Sequence, residues 1–240
     1  MKLFHLYLTE DIISIIIRET NWEAERCYKE WNNANLSNQK KRIPVNWIEI
    51  DAFLGLLLLA GVYHARQEAL HELWSRHSDR PRDRPIFLAT MSVNHFKLLL
   101  RFCRFDNKVT HVQRRATDKL AAFRDVWTMF VAQLRKFYIP GTDLTVNEQL
   151  VPLRGCGPFR QYIPSKPAKY GVKAWWCCDG AKWYPPNAEV YLGKQPAQER
   201  EVIQGERVVT TMVSPWYSSG CNMVGDNFFI SVALVEELRQ

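Results

Sequence analysis

At Pro140-Gly141 the chain changes its hydrophobic repeat, and that change constrains the fold more than any other feature. Before it, apolar residues recur at helical spacing; after it, they alternate. Leu144, Val146 and Glu148 share one face of a predicted strand, with Thr145, Asn147 and Gln149 on the other. Tyr170 to Cys178 is β-prone and apolar, Asp179-Gly180-Ala181-Lys182 is a turn signal, and Glu189 to Leu192 is a further strand. Gln204 to Ser214 reads as a short helix, and Cys221 to Gly225 as a short buried strand ending at Asp226. Ser231 to Gln240 begins an amphipathic helix. Three strands, a helix, a fourth strand and a helix give an α/β order, compatible with a mixed sheet covered by helices.

The first 140 residues are predicted to be helical. Asp11 to Thr20 spaces its isoleucines for one helix face, and Asn32 to Pro44 is a polar loop. Asn46 to Tyr63 is apolar on most sides, which predicts a central helix. Arg76 to Pro85, rich in Arg, Asp and Pro, is predicted to be extended. Ser92 is placed as the N-cap of a helix from Val93 to Arg104, with Phe96, Leu99, Leu100 and Cys103 on its apolar face. A last helix spans Lys119 to Tyr138.

A chain of 240 residues that is 47% hydrophobic has ample material for a core. The formal net charge of +7 favours an anionic partner, and it is unevenly placed. Arg76 to Lys119 holds eleven Lys/Arg against four Asp, and Val151 to Lys182 holds six against one Asp. Two basic segments on a neutral background read as a binding surface. The six cysteines form no Cys-x-x-Cys pair, so zinc-site spacing is missing, and reduced thiols of a cytosolic or nuclear protein are the expectation. The most apolar run, Ala52 to Tyr63, falls short of the ~20 residues that span a bilayer, so no membrane partner is expected. Lys40-Lys41-Arg42 has the composition of a small nuclear import signal, but three cations in a solvated loop is the preferred reading.

Thr145-Val146-Asn147-Glu148-Gln149, the basic block Arg154 to Lys173, and the later Gly225-Asp226-Asn227-Phe228-Phe229 together resemble the piggyBac family of cut-and-paste DNA transposases and the cellular proteins derived from them. Phe53 to Leu57, Leu100 to Asp106 and the Tyr138-Pro140-Gly141 turn fit the family in order. The resemblance implies a helical dimerisation and DNA-binding region over 1–140, then the N-terminal part of a ribonuclease H-like catalytic domain over 141–240. The implied fold class is α/β with a large helical N-terminal region and a partial mixed sheet. The family carries three metal-binding aspartates: the first corresponds to Asn147, the second to Asp226, and the third lies downstream of Gln240. Segments beyond that point complete the domain in the family. The chain alone is therefore expected to be poorly soluble, partly molten in its second half, or dependent on self-association.

The Asn147 substitution bears on chemistry. Strand transfer by two divalent cations, Mg²⁺ in the family, sets them about 3.5–4 Å apart between attacking and leaving oxygens. Converging carboxylates offset the repulsion between such hard cations. An amide at Asn147 brings no charge. Asp143 is four residues away, about 13 Å along a strand, and Glu148 points to the opposite face. The resemblance therefore implies a degenerate site, with Asp226 as a weak or lost metal ligand and no metal held productively. For Asp226 the reading without the resemblance is a helix N-cap. Arg154, Arg160, Lys166, Lys169 and Lys173 interleave with Phe159, Tyr162 and Tyr170, a pattern suited to a DNA backbone. The leading expectation is a nuclear, transposase-derived DNA-binding protein, catalytically inactive, with a possible homodimer and no small-molecule substrate. The alternatives are a fragment of a functioning transposase and a protein-interaction module that does not use DNA.

Overall fold

The computed structural model describes residues 3–75, 84–193 and 203–239. The expected extended segment Arg76 to Pro85 lies mostly outside them, and Pro85 instead opens a helix. Residues 10–108 form one compact unit; residues 1–9 and 109–240 form the other.

The first unit holds α1 (Glu10–Ala34), α2 (Trp47–Val62), α3 (Leu70–Leu73), α4 (Pro85–Thr90) and α5 (Val93–Phe102). Ile12, Ile13, Ile16, Thr20, Glu23 and Ala24 form the buried stripe of α1. Asn46 caps α2 by accepting from the Glu49 amide at 3.0 Å, while Glu49 accepts from the Asn46 amide at 3.0 Å, a reciprocal pair that satisfies two otherwise orphaned donors. Ser92 caps α5 as expected, accepting from the His95 amide at 3.2 Å. The buried face of α5 is Phe96, Leu99 and Phe102, whereas Leu100 is exposed.

The expectation that α2 is central is overturned. Only Ile50, Phe53 and Leu56 are buried on it, and Ile48, Leu58 and Val62 are exposed. A hydrophobic run reports what a helix could bury, not what covers it. The segment after α1 is clasped. Asn32 exchanges two hydrogen bonds with the backbone of Lys40, and Asn21 does the same with Val45. Each amide satisfies a backbone pair as a neighbouring strand would. Lys40 sits 4.1 Å over the Trp31 ring, and Arg42 bonds to Asn21 and Glu25.

The second unit carries α6 (Lys108–Thr117, starting at the boundary), α7 (Arg124–Lys136), α8 (Gln204–Val213) and α9 (Val232–Leu238). Its strands are β1 (Asp143–Pro152), β2 (Arg160–Tyr162), β3 (Tyr170–Asp179), β4 (Asn187–Val190) and β5 (Asn222–Val224). The sheet runs β2-β3-β1-β5, with β4 also on β3. β1 is antiparallel to β3 and parallel to β5, so the sheet is mixed as expected. Alternation sorts the layers. Leu144, Val146, Trp175 and Cys177 meet Val208, Val209 and Met212 of α8 on one face. On the other face Trp127 of α7 touches the Trp176 ring at 6.1 Å. This contact groups α7 with the sheet, although the sequence pattern changes only at 140. β5, predicted buried, is an edge with Asn222 and Val224 exposed.

The turn after β3 is built on Asp179. Its carboxylate accepts from the amides of Gly141 (2.6 Å), Lys182 (2.7 Å) and Ala181 (2.8 Å), and these bonds hold it below the usual carboxylate range. The turn displays Trp183 at φ 61°, a left-handed conformation that bulky residues seldom adopt.

Candidate nucleic-acid interface

β1 places Asn147 and Glu148 on opposite faces, as the alternation predicted. Asn147 pairs with Trp176 across the sheet, on the α7 side, and Glu148 with Trp175, on the α8 side. Along the parallel edge the register is Asp143 to Asn222, Leu144 to Met223 and Thr145 to Val224. The pairing ends there, and Asp226 follows two residues beyond β5, as Asn147 follows two residues beyond Thr145 on β1. The hydrogen bond from Asn222 Nδ2 to Asp143 Oδ1 (3.1 Å) fixes the face that Asp143 and Asn222 share. Both Asn147 and Asp226 are exposed.

Asp226 folds its own turn: Oδ1 accepts from the Phe228 amide at 2.9 Å and its carbonyl from the Phe229 amide at 3.0 Å. The turn is pressed against α8. A Cβ on residue 205 would lie 2.0 Å from the Phe228 carbonyl oxygen, so only glycine lets helix and turn approach this closely. Ser231, hydrogen-bonded to Glu206, then caps α9 by accepting from the Leu234 amide.

The donors present do not fit a two-cation site. Position 147 supplies an amide, and the Asp143 carboxylate is taken up by Asn222 and Thr142, which hold it below its usual range. Among the described residues no group of three or more His, Cys, Asp or Glu is placed to hold a metal. One carboxylate cannot offset two divalent charges.

The five basic residues separate into two classes. Arg154, Arg160 and Lys169 are exposed and make no ion pair among the described residues. Arg160 lies 5.0 Å over the Tyr170 ring, and Tyr170 stands opposite Tyr162 on β2 with ring centroids 4.7 Å apart. Both residues are about half exposed, so cations and partly exposed rings lie together along β2 and the end of β3. A tight turn carries Lys169 at φ 48°; within it the Ile163 amide donates to the Lys169 carbonyl at 2.7 Å.

Lys166 and Lys173 have an internal partner instead. Glu148 holds Lys173 at 2.7 Å and Lys166 at 3.1 Å. Burial pushes the Glu148 carboxyl up, but the two ammonium groups outweigh it and leave it below the usual range. The Lys173 side chain is only 13% exposed and its ammonium lies 5.3 to 5.4 Å from the rings of Trp175, Tyr191 and Phe228. Strand parity placed Glu148 on this face, but nothing local in the sequence signalled its partners, 18 and 25 residues downstream. The Gly205 contact was equally silent.

Comparison with known proteins agrees over the whole length. A family model described as Transposase IS4 matches residues 1–240. The human piggyBac transposable element-derived protein 3 is 25% identical over 252 residues, covering 99% of this chain and 37% of that protein. The human chimeric ERCC6-PGBD3 protein is 25% identical over the same length, covering 99% of this chain and 21% of its own. Among solved structures, the cryo-EM structure of a piggyBac transposase synaptic complex with hairpin DNA matches with a TM-score of 0.84 at 33% identity, covering 99% of this chain and 47% of that one. The chain thus spans less than half the length of each of these relatives. The α/β fold with a ribonuclease H-like mixed sheet agrees with that structural likeness.

Proposed function

We propose, from the premise that this chain belongs to the piggyBac-type transposase family, that it is a transposase-derived DNA-binding protein whose copy of the acid site no longer transfers strands. The observation that carries the reading is the exposed strip of Arg154, Arg160 and Lys169 with Tyr162 and Tyr170, on the unit that also holds positions 147 and 226. Cations alone would mark any solvated surface; half-exposed aromatic rings interleaved with them suit a nucleic acid. The strip's cations take backbone phosphates, which orient the DNA without reading its sequence. The matched transposase structure contains hairpin DNA, and this supports the same partner class here. A nuclear location goes with that partner.

Transposases of this family are generally metal-dependent. A divalent ion at such a site would polarise the phosphate and activate the attacking oxygen. Among the described residues the two matching positions, Asp226 and Asn147, would offer it one carboxylate and a neutral amide. We expect the chain to leave a labelled transposon-end duplex intact with Mg²⁺ or Mn²⁺, and Asn147→Asp alone not to restore nicking. Metal-dependent nicking that Asp226→Ala abolishes would overturn the inactive reading.

DNA contact is tested by fluorescence anisotropy across a salt series. Replacing Arg154, Arg160 and Lys169 by Ala should flatten the log–log salt slope by about 2.7, at about 0.9 per phosphate contact, and weaken binding equally across sequences. An unchanged slope removes the strip from the interface. A second reading, association through protein contacts alone, is favoured by the exposed apolar face of α2 at Ile48, Leu58 and Val62. Salt-insensitive self-association, lost in Leu58→Glu, with no DNA retention would select it.

A further inference from the structure

A further cation of the basic block is held on the α8 face of the sheet, opposite the strip. Glu148 takes the Lys166 ammonium at 3.1 Å and the Lys173 ammonium at 2.7 Å. The two lysines differ. Lys173 is nearly buried among three aromatic rings and cannot reach solvent without leaving them. Lys166 is 34% exposed, on the same tight turn as Lys169, so its side chain already meets solvent. The trio of one carboxylate and two ammonium groups carries a net single positive charge, and the carboxylate is saturated from both sides.

Resting on the DNA-binding reading above, we propose that Glu148 is an intramolecular latch: in the free chain its carboxylate occupies Lys166, and a DNA phosphate exchanges for that carboxylate when the duplex binds. Lys173 is the fixed half of the latch. It ties Glu148 to the Phe228 ring and so to the Asp226 turn, and it keeps the carboxylate pointing at the loop. The exchange moves no bond and needs no co-reactant; one anion replaces another on an ammonium group. An exchange of this kind costs little because both partners of the Glu148–Lys166 pair are partly hydrated.

The test removes the latch without changing the net charge. Replacing Glu148 by Leu and Lys173 by Met deletes one negative and one positive group and fills the same space with apolar atoms, an exchange that buried ion pairs tolerate. Lys166 is then free. If phosphate takes Lys166 over in the complex, Lys166→Ala in the parent chain should flatten the salt slope by about 0.9, so that the affinity lost between about 50 and 200 mM salt shrinks about 3.5-fold. The E148L/K173M chain, in which no carboxylate competes for Lys166, should keep the parent slope and bind the duplex more tightly at each salt concentration. A slope that Lys166→Ala leaves unmoved, or an affinity that E148L/K173M does not raise, overturns the latch. Mass-spectrometric amine labelling reads the same pairing without DNA. Lys166 should react more slowly than Lys169 in the parent chain and at a similar rate in E148L/K173M. Equal rates in the parent chain overturn the latch even if the variant misfolds. The two readings fail separately. A parent chain with no salt-dependent binding defeats DNA contact, whereas intact binding with a slope that Lys166→Ala leaves unmoved defeats only the latch.

Discussion

Two carboxylates, one in each unit, are each surrounded by cations, and their differences separate architecture from interface. Glu23 on α1 is 1% exposed and gathers Arg26 (2.8 Å), Lys108 (2.8 Å) and Arg104 (3.3 Å). Its partners come from its own helix and from the chain just after α5, so the cluster ties the middle of α1 to that segment. Glu148 is also paired, but one of its partners sits on a loop whose other cations face solvent. In the first arrangement the carboxylate is buried, so a departing cation would leave a poorly hydrated charge behind. The second places a partly hydrated pair at the turn that carries Lys169, where a phosphate can compete. Proximity of opposite charges is common to both, and so is a partly exposed cation, since Lys108 is 51% exposed and Lys166 34%; what differs is the carboxylate, 2% exposed at Glu23 and 23% at Glu148, and a carboxylate with access to water is the one that can release its cation.

Stability should break the comparison most sharply. Glu23→Ala leaves a converging set of cations without their carboxylate, and removing one member of a buried pair costs about 3–5 kcal/mol. Because Arg26, Arg104 and Lys108 keep part of their hydration, we expect about 3 kcal/mol, read by urea unfolding. The acid limb gives an independent measure. The Arg26 hydrogen bond above all, with Lys108 and against the effect of burial, lowers the Glu23 carboxyl from 4.5 to about 2. A depressed carboxyl stabilises fully above its unfolded value and loses that contribution as pH falls through its folded value. The helical unit should therefore weaken between about pH 4.5 and 2, and Glu23→Gln should flatten that limb. A parent chain whose stability is level across this window would remove Glu23 as the organising charge.

The next effect asks whether the Asp226 turn is held by charge or by packing. Gly205→Ala sets a methyl carbon 2.0 Å from the Phe228 carbonyl oxygen, and backbone cannot yield as a side-chain tip can. Overpacking of this kind costs about 1–3 kcal/mol, and we expect about 2. Hydrogen exchange should show the loss at residues 226–229. If E148L/K173M disturbs those amides as much as Gly205→Ala does, the Lys173 link to Phe228 is the stronger tie.

The sequence carried local and periodic information well. The β1 alternation, the Ser92 cap, the Ser231 start of α9 and the strands around the Asp179 turn were legible because each depends on a few adjacent residues. The faces of Asn147 and Glu148 followed from parity, and the link to Asp226 came only through the family resemblance. What was not legible depends on distant partners. α2 reads as a core helix because hydropathy does not record what covers it. β2 has three residues and no pattern to announce it. Arg160, Lys166 and Lys173 look equivalent as cations in one basic block; only the fold shows that two of them face a carboxylate and one faces solvent.

The smallest effect sharpens the comparison within the latch itself. Lys166 and Lys173 share one carboxylate, but they should differ in what they contribute to the fold. Lys173 is 13% exposed and covers three rings with its stem and ammonium, so Lys173→Ala removes packing together with charge and leaves Glu148 half-paired in a poorly hydrated place. We expect a loss of about 1–2 kcal/mol, less than for Glu23 because Glu148 retains Lys166 and some contact with water. Lys166 is 34% exposed and is joined to Glu148 at 3.1 Å. An ion pair of that exposure contributes about 0–1 kcal/mol, and side-chain entropy offsets part of it, so Lys166→Ala should cost about 0.5 kcal/mol or less. Urea unfolding of the two variants beside the parent chain measures the contrast. Equal losses would mean that Lys166 is a structural cation like those around Glu23, too firmly held to exchange with a phosphate. A near-zero loss for Lys166 against a clear one for Lys173 is what a latch with one fixed and one movable half requires.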